Sequence, residues 1–148
     1  MSSSVSLEYL NSITPSNTYA LCAQNQAGTS IAVILLGTAI PLATIGYNNG
    51  FTANAANTQF TVENTGVYRI SYKVNVTASA LLSTSVYKNG TAIAALDQVA
   101  AISLTNFGCE AIVSLNQGDV LQLTFYGLLG TAILASGVGA VMTVVRIN

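Results

Sequence analysis

The 148-residue chain has no histidine. That removes the Ser-His-Asp and Cys-His arrangements of nucleophilic catalysis, and it leaves no imidazole for a zinc site. Cysteine is nearly as scarce. Cys22 and Cys109 are too few for a disulfide scaffold, and their spacing fits no zinc pattern. Both read as free buried thiols, which pack as small hydrophobes, with a single disulfide as the alternative. Charge is scarcer still: four basic and five acidic residues make up 6% of the chain, against about 25% in ordinary soluble domains. The formal net charge of −1 and the absence of a basic patch argue against nucleic acid, whose phosphates need one. The opening MSSSVSLEYLNS lacks the basic start and apolar core of a signal peptide. Residues 1–17 are expected to be a flexible lead-in or remnant. Either the chain is exported by another route or it is cut from a longer protein.

Apolar residues are abundant instead, at 51%, with a mean hydropathy of +0.57. So few charges cannot cover a soluble monomer in the usual way, so either lipid or other copies of the chain cover part of the surface. Residues 120–145 carry no acid or base apart from Tyr126. That length suffices for a membrane helix, but Gly127, Gly130, Gly137 and Gly139 break it. Gly and Ser at 136–139 read as a turn. A last strand over about 140–147 follows, apolar on both faces, with Val141, Val145 and Ile147 on one and Met142 and Val144 on the other. Such a strand needs two packing partners. The reading is therefore buried strands, not membrane insertion.

Helix periodicity is hard to find. GVYRISYKVNV alternates Tyr68, Ile70, Tyr72, Val74 and Val76 with Arg69, Ser71, Lys73 and Asn75, the period of a half-buried strand. Asn89-Gly90 between two β-rich runs predicts a hairpin. VSLNQGDVLQLTFYG predicts a strand ending near Leu115, a turn over 116–119 and a second strand. NNG at 48–50 marks another turn, and Gly37 and Pro41 divide 31–45 into two short strands. The sum is an all-β sandwich.

Candidate chemistry is thin. Glu63 and Asp119 fall in turns, and nothing separates their pKa values for acid–base work. NQGD alone is a poor calcium site. No enzyme, metal or cofactor is expected. Asn75 and Asn89 stand in N-x-[ST] patterns, which matter only in a eukaryotic secretory context.

The run FTVENTGVYRISY (60–72) resembles the signature of the complement C1q / tumour necrosis factor jelly roll. Phe60, Gly66, Tyr68 and Tyr72 match it, and Ile70 replaces the usual aromatic. Leu115, Gly118 and Asp119 of LNQGDVLQL are similar to the family's second motif, and YKNG stands where the family has a hairpin. The Ala-, Ser- and Thr-rich composition further resembles the C-terminal domains of bacterial collagen-like glycoproteins of the spore exosporium. The resemblance covers residues 18–148. It implies a ten-strand jelly-roll sandwich forming a homotrimer, with the 66–76 strand and the last strand in the sheet nearer the axis. On that mapping Cys22 and Cys109 share a sheet but not neighbouring strands. The implied trimer contacts are Arg69, Ser71, Glu110, Ile112, Val141, Val144 and Val145. Arg69 and Glu110 are either solvated charges or an ion pair near the axis.

Two functions follow from the resemblance. One is a structural trimerisation domain, the C-terminal cap of a collagen-like stalk on a spore or cell surface. The other is a recognition head for a host protein or glycan, for which Tyr9, Tyr19, Tyr47, Tyr87 and Tyr126 are the candidate contacts.

Overall fold

The computed structural model describes residues 18–127 and 129–148. The expected lead-in, 1–17, lies outside them. The alternation of the sequence becomes strands: β1 (Ala20–Ala27), β2 (Ser30–Val33), β3 (Thr38–Ala39), β4 (Thr44–Asn49), β5 (Phe51–Ala53), β6 (Phe60–Val62), β7 (Gly66–Ala80), β8 (Ser83–Lys88), β9 (Thr91–Ala92), β10 (Leu104–Leu115), β11 (Val120–Tyr126), β12 (Gly130–Ile133) and β13 (Ser136–Arg146), with one 3-10 turn at Ala94–Leu96. The thirteen exceed the ten of the jelly-roll expectation because peripheral segments break into pieces of two to four residues, β3 and β9 among them. No helix among the described residues is long and apolar enough to cross a membrane.

Two sheets hold the core between them. One runs β10-β7-β13-β1-β4, all neighbours antiparallel. The other runs β5-β6-β11-β8-β9, with β3 on β11, and β12 pairs β2 beside them. The period of two decides what each strand buries. On β7, Tyr68, Ile70, Tyr72, Val74 and Val76 face inward, while Arg69 and Lys73 stay exposed. On β13, Ala140, Met142 and Val144 do the same, and on β11 Leu121, Leu123 and Phe125 close the core from the other side.

The turns follow the residues expected to make them. Asn89 and Gly90 both take positive φ (52° and 84°), as a two-residue primed hairpin turn requires. Gly50, with φ 94°, turns the chain between β4 and β5.

Two readings of the sequence need correction. Residues 136–139 are not a turn but the start of β13, and a further strand, β12, precedes it. Gly139 marks a close approach instead: a Cβ there would lie 2.5 Å from the Ala135 carbonyl oxygen and 2.8 Å from Leu134 Cβ. The run 31–45 yields parts of three strands, not two. The chain turns at Gly37 (φ 115°), and the segment beyond Pro41 opens β4.

Candidate assembly face

The family signature is legible as packing. Phe60, Tyr68, Ile70, Tyr72 and Leu115 all lie in the core. Tyr68 meets Phe51 edge to face at 5.9 Å and donates its hydroxyl to the Asn64 carbonyl. Tyr72 reaches across the sandwich, donating to Leu96 O at 2.9 Å beside Thr84 Oγ1 at 3.0 Å, and burial pushes its phenol pKa up. Gly66 starts β7 against the C-terminal segment. A Cβ there would collide with the Arg146 side chain and lie 2.7 Å from Asn148 O.

The second motif meets the first. Val62 N–H donates to Asp119 O, and Gly118 N–H donates to Val62 O, both at 2.8 Å. Asp119 also takes hydrogen bonds from Asn116 N–H (2.8 Å) and the Asn89 amide (3.0 Å). Burial raises its pKa, but these donors and Lys88 outweigh it and leave the carboxyl below its ordinary value. Three turns distant in sequence are thereby tied together at one end of the sandwich.

The outward face of the β10-β7-β13-β1-β4 sheet gathers most of the contact residues expected from the sequence. Strand register aligns them in rows. One row reads Ile112, Arg69, Val145, Ala20, Asn49; the next Glu110, Ser71, Thr143, Cys22, Tyr47; the third Gly108, Lys73, Val141, Gln24, Thr44. Ile112 is 65% exposed, and Val141 and Val145 are half-buried. Val144 is the exception. It faces the other way, is fully buried in the core, and is removed from the contact set. The sequence reading had missed Gln24, Cys22, Tyr47 and Thr143. The alternation of β13 was enough to find Thr143 between Val141 and Val145, but strand order alone brings β1 and β4 alongside.

Glu110 sits diagonally between Arg69 and Lys73 across the β7–β10 pair. None of these three charges forms an ion pair among the described residues. An open depression of about 840 Å³ lies where Lys73, Asn106, Gly108, Glu110 and Val141 converge.

Cys22 and Cys109 are free and half-buried. They share the sheet with two strands between them, but Cys22 faces outward while Cys109 packs on the core.

Carboxylates elsewhere have structural partners. Glu63 accepts from Thr52 at 3.1 Å, and Asp97 accepts from the Tyr126 hydroxyl. No group of three potential metal ligands occurs among the described residues. Of the tyrosines considered for recognition, Tyr9 lies outside the described residues. Tyr87 and Tyr126 pack on each other at 5.9 Å, Tyr19 lies under Arg146, and Tyr47 is exposed.

The model of the family described as the BclA C-terminal domain matches residues 21–148. The chain belongs to that family. The BclA C-terminal domain family comprises the C-terminal domains of collagen-like exosporium glycoproteins. No curated protein matches this sequence. Among solved structures, this BclA C-terminal domain is similar to Eiger TNF from S. frugiperda (TM-score 0.65, 11% identity, 90% of this chain and 94% of that one). It is also similar to murine APRIL at pH 5.0 (TM-score 0.63, 14% identity, 88% of this chain and 100% of that one). At such identities the likeness is one of fold, the C1q/TNF-like jelly roll.

Proposed function

We propose that this chain is a non-enzymatic structural domain at the C-terminal end of a collagen-like protein on a bacterial spore surface. Three copies would pack through the outward face of the β10-β7-β13-β1-β4 sheet, registering and capping the stalk. The observation that carries this reading is the face itself: five strands wide and uncharged except for Arg69, Lys73 and Glu110. The aliphatic side chains of that face, Ile112, Val141 and Val145, stay in water only at a cost in apolar hydration, which burial against identical faces removes. Membership of the BclA C-terminal domain family supports the setting, because the family belongs to collagen-like exosporium proteins.

Light scattering coupled to gel filtration, in detergent-free buffer, tests the reading. The expected result is one species of three times the chain mass over a wide concentration range. A monomer throughout, or an aggregate dispersed only by detergent, overturns it.

A further inference from the structure

The end of the sandwich opposite Gly66, Asn116–Asp119 and Asn148 has a different character. Four connections meet there. Leu35 O accepts from Gly127 N–H, joining the β2–β3 turn to the β11–β12 loop, and Ala100 N–H donates to Ser83 Oγ, joining the segment before β10 to the start of β8. Leu104 lies opposite Ala80, which brings in the β7–β8 connection. The side chains at these tips are Leu35, Leu36, Leu81, Val99, Ile102 and Leu129, exposed between 47% and 88%. None of these connections carries a charge between its tips. Asp97, the closest charge in sequence to Val99, is half-buried and held by Tyr126.

A cluster of exposed aliphatic side chains is costly in water and marks a contact surface. Its chemistry narrows the partner. Protein hot spots are built on Trp, Tyr and Arg, and this crown is wholly aliphatic. Anionic membranes are recognised by Lys and Arg, and it has neither. The tips also protrude on separate loops, Leu36 at 88% exposure. What matches protruding, uncharged aliphatic tips is a hydrocarbon layer.

We propose that this crown inserts into uncharged lipid, anchoring the domain at the end away from its chain terminus. The inference is independent of the trimer reading, since the crown lies off the assembly face.

Flotation with phosphatidylcholine vesicles tests it on the full chain. The protein should float with vesicles, equally at low and high salt, and no better when phosphatidylserine is added. Leu36→Asp or Leu129→Asp should each weaken partitioning at least about tenfold, because a charge replaces a buried aliphatic side chain. Their melting temperatures should stay unchanged, as both positions are exposed. Ile147→Asp, the same charge at the opposite end, should float like the parent. Failure to float, flotation that needs phosphatidylserine, or flotation unaffected by both aspartates overturns the proposal. So does crown-to-crown pairing of copies, seen as a doubled mass in light scattering that Leu36→Asp abolishes.

Discussion

The two sheets of this sandwich treat their outward faces differently. On the β11–β8 side, Tyr87 and Tyr126 pack on each other, Tyr126 donates to Asp97, Gln122 donates to Thr124, and Gly37 brings the β2–β3 turn down onto Tyr87 and Thr124. Thr124 and Ser85 are buried although they point away from the core partners Leu123 and Val86. That face is closed by the chain's own loops. On the β10-β7-β13-β1-β4 side Ile112 is exposed and Val145, Thr143 and Val141 are only half-buried among the described residues, and Arg69, Lys73 and Glu110 lack ionic partners there. A sheet that finishes its polar and apolar bookkeeping within one chain stabilises the fold. A sheet that leaves it open is available for assembly.

Substitutions on the two sides should therefore fail differently. Ile112→Asp has the largest expected effect. The position is exposed in one chain, so the fold survives with unchanged circular dichroism. The charge would be buried without a partner in a contact between copies, so the proposed trimer should dissociate to single chains in light scattering. A persistent trimer would place the contact elsewhere. Phe125→Ala, in the core under the closed sheet, should act on folding and not on the contact, costing about 3–5 kcal/mol in denaturant unfolding. Dissociation of a still-folded trimer by this variant would contradict the division.

Tyr126→Phe probes the closed face more gently. Burial, then the hydrogen bond to Asp97 and that carboxylate's charge, push the Tyr126 phenol up to about 12. The unfolded phenol titrates near 10, roughly its reference value. Because the folded value is the higher, the contribution is fully present below pH 10 and is lost as pH rises through 12. The parent should lose stability across that window, and Tyr126→Phe should flatten the loss while lowering neutral stability by about 1 kcal/mol. Parallel alkaline melting curves would remove Asp97–Tyr126 from the account.

How much of this was readable beforehand depended on how local each cause is. β7 was legible because the nine residues 68–76 alternate without interruption, and the Asn89-Gly90 hairpin because two adjacent positive φ values have few other sources. The 136–139 segment was misread because glycine serves both turns and close approaches, and the colliding Ala135 carbonyl shows only in three dimensions. Val144 was counted among the contacts although it alternates with Val141 and Val145, since both faces of β13 are apolar and sequence does not say which meets the core. The Asp97–Tyr126 contact joins residues 29 apart, and no local pattern announces it.

The smallest effect is the most informative about the open face. Glu110 lies diagonal to Arg69 and Lys73 on the neighbouring strand, a spacing of roughly 7–8 Å that long side chains can span, yet it pairs with neither among the described residues. If three copies meet on this face, Arg69 of a neighbouring copy becomes an available partner, and the pair would fix register more than it stabilises. Glu110→Gln should leave the trimer intact and lower its melting temperature by an amount worth about 0.2–1 kcal/mol at low salt. The difference should vanish near 1 M salt, where screening reaches about 3 Å. Arg69→Gln combined with Glu110→Gln should cost no more than either alone, because a shared interaction can be lost only once. Unchanged assembly and unchanged melting in Glu110→Gln would show that these charges remain solvated, and that Ile112, Val141 and Val145 hold the copies together without them.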